Sequence, residues 1–197
     1  QEWWGLNDQI RGVADRFALA GYRALVPDLY RGQSTVEAEE AHHLMSNLNF
    51  ADAASQDVRG AVQALKARGC PKVGVTGYCM GARLAVRTAG RFPGTVGAVG
   101  GFHGGGLVTD ADDSPHLAIA GSTAEYVFGN ADQDRSMTLD QVAQLEETLQ
   151  AAERPHLNEI YEGAAHGYTM ADTSMYDEAG AERHFKELEA LLSRTLR

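Results

Sequence analysis

Apolar positions along the chain switch repeatedly between helical spacing and short continuous runs. Ile10, Val13, Phe17 and Leu19-Ala20 follow Asn7-Asp8 at helical spacing and stop at Gly21, which predicts a capped amphipathic helix. Residues 22–26 form a short apolar run closed by Pro27-Asp28, the pattern of a buried strand. Residues 36–48, rich in Glu and His, predict a helix. Residues 52–68 predict a stronger one, with Val58, Val62 and Leu65 at core spacing and Gly69 as its stop. The run Val73-Gly74-Val75-Thr76 predicts a strand, and the Ala-rich stretch after it a helix ending near Phe92-Pro93. Further strands are expected at 95–103, 125–128 and 156–161, a Gly-rich loop at 104–121, and helices at 138–153 and 175–196. Strands alternating with helices of this length predict one α/β domain over residues 1–197: a mostly parallel sheet with helices on both faces.

Composition narrows the function classes. The chain has 197 residues, 44% of them hydrophobic, and a net charge of -10, which disfavours nucleic acid or an anionic membrane as partner. No apolar run is long enough to cross a bilayer. Cys70 and Cys79 form neither a disulfide framework nor a metal-site spacing, so a reducing, cytoplasmic setting is expected. His42 and His43 lie one turn after Glu39 and Glu40, but no third ligand accompanies them, and a solvated helix face is the expected reading. No metal or cofactor is called for. Oligomeric state is not legible. The chain opens on Gln1-Glu2-Trp3-Trp4-Gly5 without Met, which reads as a strand running into a loop and as a cut end.

The chemistry centres on Gly77-Tyr78-Cys79-Met80-Gly81, between a predicted strand and a predicted helix. Gly-x-Cys-x-Gly in that setting is a nucleophile elbow with Cys in place of Ser. A turn that projects one side chain above a sheet brings strand and helix together, so its flanks must be Gly. A thiol at a helix N-terminus also feels the positive end of the helix, which favours thiolate. The competing reading is a small buried filler. Two more loops at strand ends carry suitable groups: residues 129–134 hold Asp132 and Asp134, and residues 163–167 hold His166. Nucleophile, acid, histidine is the chain order of α/β-hydrolases. Spacing leaves Asp132 and Asp134 equally eligible. His103 also ends a strand and is a possible pocket residue, as are Trp4, Tyr78 and Arg31; His116, His156 and His184 read as structural.

The whole chain resembles the dienelactone hydrolase (carboxymethylenebutenolidase) family. The carriers are Gln1-Glu2-Trp3-Trp4-Gly5, Pro27-Asp28-Leu29-Tyr30, Gly77-Tyr78-Cys79-Met80-Gly81, Ala131-Asp132-Gln133-Asp134 and Ala165-His166-Gly167. The resemblance implies an α/β-hydrolase fold lacking the family's N-terminal strands. It also implies hydrolysis of a small ester or lactone through an acyl-enzyme on Cys79, with Asp134 and His166 completing the triad. It gives Glu2 as the partner of the resting thiol, and the backbone N–H groups of Met80 and Trp3 as the oxyanion hole. The pattern departs where family members hold a substrate carboxylate with two arginines. Met170 occupies one of those positions, the other falls near Ala38, and Arg31, Arg83 and Arg135 are the available substitutes. Two other function classes fit a cysteine elbow: an amidotransferase-like enzyme, and a non-catalytic binding or redox-sensing protein.

Overall fold

The computed structural model describes residues 1–196. It divides into two compact units, Gln1–Pro71 and Lys72–Arg197.

The first unit is helical. Helix α1 (Asp8–Leu19) begins where Asn7 accepts a hydrogen bond from the Ile10 N–H at 3.0 Å, and it buries Ile10, Val13 and Phe17. Helix α2 (Ala38–Asn47) buries only Ala41. The helix expected at 52–68 is a composite: α3 (Phe50–Asp52), a π-helical turn (Ala53–Val58) and α4 (Arg59–Ala67). Asn49 caps its start by accepting from the Ala51 and Asp52 N–H groups, both at 3.1 Å. The strand expected at 22–26 does not form. That segment joins no ladder, and Leu25 is 39% exposed. A β-pattern becomes a strand only beside a partner edge, and the β-pairing inside this unit is limited to isolated bridges at Glu2–Gly5 and Gly5–Ser34.

The second unit is a four-stranded sheet in the order β1-β2-β3-β4: β1 (Val73–Tyr78), β2 (Val96–Phe102), β3 (Glu125–Gln133) and β4 (His156–Ala165). Every neighbouring pair is parallel, so each connection must cross over the sheet. The crossovers carry α5 (Met80–Arg91), a 3-10 helix (Pro115–Gly121) with α6 (Leu139–Ala151), and α7 (Glu178–Leu196) follows β4. Side chains alternate across a strand, and two adjacent glycines of β2 show which helix covers which face. A Cβ on Gly100 would lie 2.8 Å from Leu188 of α7, whereas one on Gly101 would meet Phe128 at 2.7 Å and Ala82 of α5 at 3.5 Å. Helices therefore cover both faces, and β2 is buried nearly end to end. This is the α/β-hydrolase-like parallel sheet that the alternating pattern predicts.

Strands β3 and β4 run further than the apolar runs suggest. Gly129, Asn130 and Ala131 pair with Glu159, Ile160 and Tyr161. Buried Asn130 donates its amide to Asn158 at 2.8 Å and to the Glu159 carbonyl at 3.1 Å. A polar residue can sit inside a strand when its hydrogen bonds are met there. As a result, Asp134 and His166 stand directly beyond the ends of two adjacent strands, where position is best defined. No helix among the described residues is long and apolar enough to cross a membrane.

Candidate active site

Cys79 joins β1 to α5 with φ 53° and ψ -119°, a conformation that costs a non-glycine residue about 1–3 kcal/mol. The surroundings enforce it. A Cβ on Gly77 would lie 2.1 Å from the Gly81 carbonyl oxygen, so this close passage of strand and helix admits only glycine. The Cys79 N–H is tied to the Phe102 carbonyl at 3.2 Å, and the Cys79 carbonyl accepts from the Ala82 N–H at 3.2 Å. The side chain is partly exposed, and Met80, the first residue of α5, follows immediately.

His166 donates from Nδ1 to Oδ2 of Asp134 at 2.6 Å. The Asp134 side chain is 2% exposed, and its second oxygen, Oδ1, accepts from the Ser136 N–H at 2.8 Å and from the Ser136 hydroxyl at 2.6 Å. Burial alone would raise the Asp134 carboxyl, but the hydrogen bonds from His166 and Ser136 outweigh it and hold the carboxyl below its ordinary value. Burial would likewise lower His166. Hydrogen bonds to Asp134 and Cys79, with the charges of both, override it and push the imidazole up to about 10. With Nδ1 committed to Asp134, Nε2 is the ring nitrogen left for Cys79. Asp132, equally eligible on spacing, turns elsewhere: its carboxylate accepts the Gly163 N–H at 3.0 Å in the second unit's β4.

His103 lies under this group with φ 37° and no exposed surface. Its Nε2 is 2.8 Å from the Thr169 hydroxyl, and its ring meets the rings of His166 at 5.3 Å and Tyr168 at 5.2 Å. Burial first, and then the neighbouring His166 and His184 charges, keep it well below its ordinary value and hence neutral. Tyr78 points into the core instead, 3% exposed, its hydroxyl 3.1 Å from Nε2 of His184. His184 donates from Nδ1 to the Ala181 carbonyl, so Nε2 accepts from Tyr78. His116 and His156 also have structural partners, in Ser114 at 2.7 Å and Glu146 at 3.0 Å.

Cys79, Met80, Asp134, His166 and His103 thus gather at one end of the second unit's sheet. Glu2, Trp3, Trp4 and Arg31 belong to the first unit. There Glu2 is buried, the Trp3 and Trp4 rings are 4.8 Å apart, and Arg31 (φ 55°) lies 3.8 Å from Asp57. His42 and His43 are exposed on α2 beside Ser46 and Asn47. No group of three or more His, Cys, Asp or Glu among the described residues is placed to hold a metal. Of the arginine substitutes, Arg83 spends its Nε on the Gly105 carbonyl at 2.6 Å; Met170 is 1% exposed. Ser136 is the residue of this site that pattern reading passes over. The available signal is Asp-x-Ser, an aspartate able to accept the backbone N–H two residues on.

Comparison with known proteins bears on the family and the fold. The dienelactone hydrolase family profile matches residues 1–196. "Protein usf" of Aquifex pyrophilus is 35% identical over 119 residues, covering 56% of this chain and 52% of its own length. A "Putative carboxymethylenebutenolidase" of Aquifex aeolicus is 34% identical over 113 residues, covering 52% of this chain and 48% of its own. These matches span about half the length of each of those two relatives. Among solved structures, the "Putative Dienelactone Hydrolase" of Klebsiella pneumoniae superposes with a TM-score of 0.87 at 22% identity, over 98% of this chain and 84% of that one. That level of identity speaks for the fold. The chain belongs to the dienelactone hydrolase family.

Proposed function

We propose that the protein is a cysteine-nucleophile hydrolase of small esters or lactones, with Cys79, His166 and Asp134 as its triad. The observation that carries this reading is the joint geometry of the second unit: a cysteine held at positive φ on a glycine-flanked elbow, with a histidine 2.6 Å from a buried carboxylate beside it. A filler cysteine has no need of backbone strain or of a hydrogen-bonded imidazole. The names borne by relatives, carboxymethylenebutenolidase among them, support the substrate class.

In the proposed cycle the Cys79 sulfur attacks the substrate carbonyl carbon, and the carbonyl's electron pair moves onto oxygen. The Met80 N–H, at the positive end of α5, stabilises that oxyanion. Collapse expels the alkoxide, which takes the proton from Nε2 of His166, leaving a thioester on Cys79. For a lactone the leaving alcohol stays tethered to the acyl group. Water then attacks the thioester while Nε2 accepts its proton. The second collapse releases the carboxylic acid and returns the thiolate beside the imidazolium. Asp134 holds the Nδ1–H tautomer throughout.

The test is hydrolysis of a short p-nitrophenyl ester and of a dienelactone by wild type and Cys79→Ala. The reading expects cleavage of at least one that falls by about a thousandfold or more in Cys79→Ala. Cleavage of the ester alone keeps the mechanism and points to a less anionic substrate, in line with Met170. Undiminished cleavage by Cys79→Ala overturns the nucleophile.

A further inference from the structure

Ser136 lies two residues past Asp134 and is exposed as a residue, yet its polar atoms turn inward. Both its N–H and its hydroxyl donate to the same carboxylate oxygen, Oδ1, at 2.8 and 2.6 Å. The other oxygen, Oδ2, is thereby left for His166. The Ser136 Oγ is also 3.2 Å from Nδ1 of His166. Since its own proton goes to Asp134, Oγ presents a lone pair to that nitrogen. Nδ1 therefore faces two acceptors, which requires it to carry the proton and leaves Nε2 to face the thiol.

Ser136 is itself held. Its carbonyl accepts the Gly106 N–H at 2.9 Å, and the neighbouring Gly105 carbonyl accepts Nε of Arg83 at 2.6 Å. Arg83 sits one turn into α5, the helix that begins beside Cys79. The fit is close: a Cβ on Gly105 would come within 2.7 Å of the Ser136 hydroxyl, and one on Gly106 (φ 63°) within 3.0 Å of the Arg83 guanidinium carbon. A continuous set of contacts thus runs from the nucleophile's helix through Gly105 and Gly106 to Ser136 and Asp134.

We propose that Ser136 is a positioning residue. It fixes the rotamer of Asp134 and the tautomer of His166, and the Arg83–Gly105 contact ties it to the helix that bears Cys79. Ser136 acts through Asp134 and through Nδ1 of His166, the nitrogen turned from the thiol, and its role presupposes the triad proposed above.

The experiment compares wild type, Ser136→Ala and Ser136→Thr in the full-length protein. The Asp134 carboxyl is followed by carbon NMR across pH, its signal assigned by its loss in Asp134→Asn, alongside kcat/KM for the p-nitrophenyl ester. Ser136→Ala removes a donor to the carboxylate, so the Asp134 titration should move up by about half a unit to one unit. The acid limb of kcat/KM should move with it, and kcat should fall about three- to tenfold with KM little changed. Ser136→Thr keeps the hydroxyl and should restore the titration. An Asp134 titration unmoved in Ser136→Ala overturns the proposal, whatever the activity does. A moved titration in a protein whose hydrolysis survives Cys79→Ala would leave the positioning intact and sink the triad instead.

Discussion

At the scale of single residues, the site depends on one strained bond rotation and one short hydrogen bond. Cys79 at φ 53° occupies backbone territory that glycine enters at no steric cost. Cys79→Gly should therefore abolish hydrolysis and yet be more stable than Cys79→Ala by about 1 kcal/mol or more, measured by chemical denaturation. Equal stability would mean that the elbow stores no strain. The bond from His166 to buried Asp134 makes a second prediction. Asp134→Asn should cut kcat by about a hundredfold or more with little change in KM, because an amide can present a donor where Nδ1–H needs an acceptor. Asp132→Asn should leave kcat within about twofold, since that carboxylate serves Gly163. Spacing alone left these two aspartates tied, two residues apart in one segment. What separates them is the direction each side chain takes where β3 ends, and no sequence period records that.

At the scale of elements, glycine decides how closely the strand and helix that flank Cys79 can pass. Gly77→Ala would place a methyl group against the backbone of Gly81, which cannot yield as a flexible side chain would. It should destabilise the fold by about 3 kcal/mol or more, with activity lost in step. Loss of activity without loss of stability would show that the elbow can re-form around the methyl group. Helix boundaries were legible where caps announce them: Asn7 opens α1, and Thr138 with Gln141 forms a capping box at the start of α6. The apolar run at 22–26 misled because it has strand chemistry without a strand partner in its unit. The helix at 52–68 was legible as helix but not in its π-helical turn, since Ala53–Val58 carries no residue that marks the change of winding. Strands β3 and β4 ended later than expected because Asn130 satisfies its polarity within the sheet.

At the scale of the whole chain, the ionised pair links folding to pH. His166 is raised from 6.5 to about 10, so its contribution to stability is complete below about 6.5 and is lost as pH rises through about 10. Asp134 is lowered from its ordinary 3.8, so its contribution is present above that value and is lost as pH falls through the lower folded value. The two describe one interaction and count once. The melting-temperature advantage of wild type over His166→Gln should accordingly shrink steadily between pH 6.5 and pH 10; an advantage that stays constant across that window contradicts the raised imidazole. Most of the parallel sheet was legible from alternating elements, and the order of Cys79, Asp134 and His166 from three strand ends. Ser136 carried only the short Asp-x-Ser signal, and the Arg83–Gly105 contact carried none, because it joins segments distant in sequence.

The proposed chemistry turns on Cys79 forming the covalent intermediate. The most direct measurement mixes the full-length protein with a short p-nitrophenyl ester, quenches with acid during turnover and reads the intact mass, followed by peptide mapping. One acyl group is expected on the peptide containing Cys79, absent from Cys79→Ala and accumulating further in His166→Ala, where the thioester is not cleared. Turnover with no adduct on Cys79, or an adduct on another residue with turnover preserved in Cys79→Ala, would contradict it.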